Sequence, residues 1–123
     1  MITLGAGLVN SLIVLEHLRN DRELADIPIN VGCFTNCREE GLTFRIMTKR
    51  GQDSFTWCIY EHRNSDSIVI NGKEGYISIT DDLPYQGNKY EYLAAFTYGE
   101  HYKAAKKLSR LIQKFWKENG IKK

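Results

Sequence analysis

Two neighbouring stretches of the chain alternate apolar and polar side chains with a period of two. This pattern constrains the fold more than any other feature of the sequence. Over Leu42–Lys49 the even positions Leu42, Phe44 and Ile46 are apolar, whereas Thr43, Arg45 and Lys49 point the other way. Over Ser54–His62 the odd positions Phe55, Trp57 and Ile59 are apolar. Successive side chains of a strand leave on opposite faces, so each stretch reads as a strand with one apolar face. The polar run Arg50-Gly51-Gln52-Asp53 between them makes the pair an antiparallel hairpin. Ser67–Ile70 and Tyr76–Thr80 read as a second hairpin closed around Asn71-Gly72, a dipeptide suited to tight turns. Tyr90–Tyr98 reads as the last strand, reached through an Asp81–Lys89 loop that holds Pro84 and Gly87.

Helices flank these strands. Leu8–Leu18 predicts a helix in which Leu12-Ile13-Val14-Leu15 leaves hardly a polar face, the mark of a well-buried helix or of a stretch that is partly strand. Gly5 and Gly7 mark a flexible start before it, the polar stretch Arg19–Asp26 closes it, and Pro28 begins an extended segment. Near the other end, Thr97-Tyr98-Gly99-Glu100 fits a capping box. At ~100° per residue, Ala104, Leu108, Leu111, Ile112 and Phe115 fall in one apolar stripe. Gly120 is placed to cap this helix at its C-terminal end. With 123 residues, 42% hydrophobic and 26% charged, the chain suits one globular domain over 1–123, without repeat or linker. The expected fold class is α+β: an antiparallel sheet of about five or six strands, with an N-terminal and a C-terminal helix packed on one face.

Glu16 and His17 interrupt the first apolar run, no Lys or Arg precedes it, and it falls short of the ~20 residues of a membrane span. Three cysteines are few and odd in number. Both features predict a cytoplasmic, reducing location with no membrane partner, and thiols rather than disulfides.

Two regions stand out as binding surfaces. Residues 101–123 hold eight Lys or Arg against one acid, a balance of +7, while the preceding hundred hold nine against fourteen, a balance of −5. Lys103, Lys107, Arg110, Lys114 and Lys117 lie opposite the apolar stripe and form a basic face suited to phosphates or an acidic partner. The same residues serve equally as the solvated side of an amphipathic helix, and lysine dominates where arginine is the better phosphate fork. The second region is the polar loop Glu61, His62, Arg63, Asn64, Ser65 and Asp66, which concentrates directional donors and acceptors between two strands. Its plainer reading is a connection in which Asn64, Ser65 and Asp66 bond local backbone.

Catalytic and metal chemistry finds little support. Cys58 and His62 share a strand face but lie four residues, ~13 Å, apart at ~3.3 Å per residue, too far for a thiolate and its base. Cys58 therefore reads as a core thiol. Cys33 and Cys37 form a CxxxC with no second ligand pair, and His17, His62 and His101 are scattered, so no metal is expected. Asp81-Asp82 with Glu74 lacks the EF-hand pattern. Gly5-Ala6-Gly7 opens like a dinucleotide fingerprint, but Asn10 stands where the third glycine belongs. No catalytic residues and no cofactor are assigned.

The strand and loop WCIYEHRNSDSIVING, together with the helix YGEHYKAAKKLSRLIQ, resembles small accessory proteins of phages and plasmids of low-GC Gram-positive bacteria. The likeness lies in size, composition and lysine-rich style. It implies a host-directed role, of which inhibition of a bacterial immune system is one. The expected function is therefore a non-catalytic inhibitor or adaptor that binds a host protein or protein–nucleic acid complex. The alternative is a protein that sequesters a nucleotide or other small molecule, with Arg63, Asn64 and nearby aromatics as the binding groups.

Overall fold

The structure, a computed structural model, describes residues 6–35, 40–47, 54–62, 67–74, 91–97 and 99–119. Helix α1 (Ala6–Arg19) comes first, followed by a single 3-10 turn, Arg22–Leu24. Five strands follow: β1 (Ile29–Thr35), β2 (Glu40–Met47), β3 (Ser54–His62), β4 (Ser67–Glu74) and β5 (Glu91–Thr97). Helix α2 (His101–Asn119) comes last. The strands pair antiparallel in chain order, β1-β2-β3-β4-β5, so the fold is the α+β arrangement that the alternation predicts.

Register turns the period-two pattern into a core. Leu42, Phe44 and Ile46 stand opposite Ile59, Trp57 and Phe55, and Ile59 stands opposite Ile70 on the next strand. One face of the sheet is therefore apolar across its centre, and the helices cover it. Val14 and Leu18 of α1 join Ala104, Ala105, Leu108 and Ile112 of α2 in a single cluster with these strand residues. Two polar contacts, one buried and one part-buried, fix the helices in place. Ser11 Oγ donates to the Ile59 carbonyl at 3.1 Å, tying α1 to β3. Ser109 Oγ donates to Asp21 Oδ2 at 2.6 Å, tying α2 to the segment after α1.

The centre of the opposite face is buried too. Thr56, Cys58, Tyr60, Val69 and Asn71 are nearly inaccessible there. Cys58 is thus a buried thiol, although it lies on the face away from the helices.

Three local expectations are corrected. Asn71-Gly72 is not a turn, because both residues lie within β4. Asn71 is held in the strand by its amide, whose Nδ2 donates to Tyr60 Oη at 3.1 Å. Gly72 is needed for space, since a Cβ there would sit 2.6 Å from the Phe55 ring. Gly7 does not precede the helix but lies inside α1. The capping box is also built differently. Thr97 N–H and Oγ–H both donate to Glu100 Oε1, at 2.9 and 2.6 Å, so the threonine hydroxyl caps the carboxylate instead of a helix amide. Gly99, at φ 92°, makes the left-handed bend that closes this turn. The expected strand at 76–80, the loop at 81–89, the turn at 50–53 and the cap at 120 lie outside the described residues.

Glu100 carries a pH signature. The Thr97 hydroxyl and amide, then the Lys103 ammonium at 3.0 Å, hold its carboxyl down at about 2 instead of the ordinary 4.5. A carboxyl depressed in the folded state contributes stability that is complete above its unfolded pKa and is lost as pH falls through the folded one. Acid unfolding of the wild type should therefore show a component between the ordinary 4.5 and about 2 that Glu100→Gln lacks. Superimposable acid profiles for the two proteins would refute this assignment.

Candidate functional site

Helix α1 turns one side inward through Ser11, Val14 and Leu18. Because Leu12-Ile13-Val14-Leu15 has no polar break, the first half of its outward side is apolar as well, while Glu16, His17 and Arg19 make the second half polar. Val9, Leu12 and Ile13 are 43%, 40% and 40% exposed. The expected well-buried helix is thus buried on one side only. Solvated helices carry polar residues on the outer face, and a group of three neighbouring branched aliphatics there departs from that rule.

Beside this face lies a cavity of about 340 Å³ between the end of α1, the 3-10 turn and the sheet. Leu15, Leu18, Leu24, Ile29, Val31 and Phe44 line it, and Arg19 and Arg22 stand at its polar side. It forms because β1 is the end strand of the sheet and Val31, 48% exposed, faces the groove without being covered. Leu12 and Leu15, three residues apart on α1, are neighbours on the helix surface and link the outer face to the groove. Val31 and the pocket-forming Leu24 could not be found from periodicity, since their role depends on where β1 ends up in the sheet.

A second cavity of about 270 Å³ lies on the other side of α1, against the start of α2. Its walls include His17, Asn20, Arg22, Tyr102 and Lys106. The two cavities share Asn20, Asp21 and Arg22.

The basic face stands much as its helical spacing predicts. Lys103, Arg110, Lys114 and Lys117 are exposed and Lys107 is half-buried. Lys103 is engaged locally, since its ammonium donates to Glu100 at 3.0 Å. Lys106, which the sequence reading did not single out, sits over the Tyr102 ring at 5.4 Å from the centroid. Of the polar loop, Glu61 and His62 occupy the last positions of β3, while Arg63, Asn64 and Asp66 lie outside the described residues. His101 bonds to Asn10 Oδ1 at 2.7 Å, tying the start of α2 to α1. Cys33 is exposed, and Cys37, Asp81 and Asp82 lie outside the described residues. Among the described residues no three His, Cys, Asp or Glu side chains converge on a metal position, and no helix is long and apolar enough to cross a membrane.

No protein-family model, curated protein or solved structure matches this chain.

Proposed function

We propose that this chain is a non-catalytic binding protein that docks on a partner protein through the outer face of α1 and the groove beside it. The observation that carries this reading is the exposure of Val9, Leu12 and Ile13 on a helix whose inner side is already packed. Burying such side chains against a partner stabilises a complex by roughly 25 cal/mol per Å² of apolar surface removed from water. The groove supplies the concave feature into which an apolar anchor of the partner fits. The end strand β1 lies next to it and offers backbone groups to an extended segment. The resemblance to phage and plasmid accessory proteins supports a bacterial host protein as the partner, and an immune-system component as the target to try first.

The test compares three forms of the protein as bait in a lysate of a Gram-positive host. Wild type should retain a partner in stoichiometric amount. The pair Leu12→Asp with Ile13→Asp should lose it while keeping its circular dichroism spectrum, because both side chains already face water. Changing Lys107, Arg110 and Lys114 to Glu should leave binding intact. The opposite pattern, loss only in the lysine and arginine variant, assigns binding to the basic face and overturns the proposal. A stable homodimer in sedimentation that dissolves in the Leu12→Asp, Ile13→Asp protein would also overturn it, since the face would then serve self-association.

A further inference from the structure

We propose that the cleft between the end of α1 and the start of α2 binds the phosphate of a small phosphate monoester. This inference concerns a different cavity from the partner-binding groove, although Asn20, Asp21 and Arg22 lie between the two and line both.

The cleft brings together cationic and hydrogen-bonding groups from the end of α1 and the 3-10 turn that follows it, and from α2 far along the chain. Arg22 comes from the 3-10 turn, His17 and Asn20 from the end of α1 and the residue after it, and Lys106 from the second turn of α2. Arg22 brings a guanidinium and Lys106 an ammonium, and two such groups on one concave surface favour a dianion over a single charge. A guanidinium presents two parallel N–H donors to a phosphate, and an ammonium supplies a point charge. The Asn20 side chain donates to the Glu16 carbonyl at 3.0 Å, which fixes its amide at the cleft wall.

The walls are held before any ligand arrives. His17 and Tyr102 meet edge to face, with centroids 5.6 Å apart, and Lys106 lies over the same tyrosine ring at 5.4 Å. Tyr102, 58% exposed, thus acts as a post that holds one cation and one imidazole at the cleft wall. The cleft also contains a carboxylate, Asp21, which opposes an anion. That carboxylate is already committed, accepting from Ser109 Oγ at 2.6 Å and from the Glu23 amide at 2.9 Å. Asp21 thus serves to anchor α2, and Arg22 and Lys106 are the cations that line the cleft. The surrounding charge adds to this, since residues 101–123 carry a balance of +7 and draw anions toward α2.

Size decides between a small ester and a polymer. A concave space of about 270 Å³ encloses a phosphate and the adjoining part of a small molecule. A nucleic-acid backbone would instead follow an extended basic track, such as the outer stripe of α2.

The experiment titrates the full chain with adenosine 5′-monophosphate, ribose 5-phosphate and inorganic phosphate by calorimetry, and follows the His17 ring by NMR. Saturable one-to-one binding of both esters is expected, with shifts at the His17 ring. Tighter binding of the esters than of inorganic phosphate identifies an ester site. Equal or weaker ester binding identifies a site for free phosphate and overturns the proposal. Arg22→Gln with Lys106→Gln should weaken ester binding by about tenfold or more. Lys114→Gln with Lys117→Gln, at the far end of α2, should leave it unchanged. Equal weakening by both pairs would mean diffuse attraction and no site. Tighter binding of a ten-nucleotide single strand than of the mononucleotide would move the ligand to nucleic acid. Absence of saturable binding, or an unmoved His17 ring, would also overturn the assignment.

Discussion

Trp57→Ala is expected to lower the stability of the fold by about 3–5 kcal/mol, the range for removing a large buried aromatic. Trp57 is nearly inaccessible and stands mid-strand in the central strand of the sheet, opposite Phe44 on one side and Gly72 on the other. Its ring lies 4.7 Å from Phe55 and 5.6 Å from Phe115, centroid to centroid, so it joins two strand residues to α2. Truncation leaves a void that neighbours cannot fill by small shifts, because Phe55 is already held against Gly72 on its far side. Small domains have only ~5–15 kcal/mol in total, so a large share of the stability goes at once. Urea unfolding should show a lower midpoint with an unchanged slope, the signature of lost stability without altered compactness. A midpoint near that of the wild type would mean that Trp57 is not a core residue.

Leu108→Ala should cost about 2–5 kcal/mol, and the melting temperature should fall by on the order of 10 °C. Leu108 is fully buried at the centre of the α2 stripe, beside Ala104, Ala105 and Ile112 in the same core cluster. The loss reports on helix docking, because the residue lies where α2 meets both the sheet and α1. Phe115→Ala should cost less, since its ring is only partly buried at the edge of the same cluster. Equal effects of the two substitutions would mean that α2 is rotated about its axis relative to the arrangement described.

Much of this fold is legible in the residues because its physics is local. Alternation at Leu42–Ile46 and Phe55–Ile59 sets which side of each strand is apolar, and antiparallel register aligns those sides without further information. The stripe on α2 is equally plain, since one helix face carries nearly all of the apolar residues. The failures come where a residue answers to a distant partner. Asn71-Gly72 has the local chemistry of a turn, yet Tyr60 bonds the asparagine and Phe55 fills the space that a glycine leaves. Likewise, the unbroken run Leu12–Leu15 in α1 says that the helix touches apolar surroundings but not on which side. Of the candidate surfaces, the basic face follows from spacing alone. The groove and the cleft do not, because each is assembled from α1, the 3-10 turn and an element much later in the chain.

The order of the strands bears on how the chain reaches this state. A sheet whose strands each pair with their sequence neighbour grows one hairpin at a time. The connections 36–39, 48–53 and 63–66 are short and cost little loop entropy, and only 75–90 before β5 is long. The clasp between the two helices is different: Asn10 meets His101 and Asp21 meets Ser109 across about ninety residues of intervening chain. Closing that span is costly for a bare coil and cheap once the meander has drawn its two ends together. The sheet thus acts as a ruler for the helices, and the cleft where α1 meets α2 waits on the meander that brings the two together.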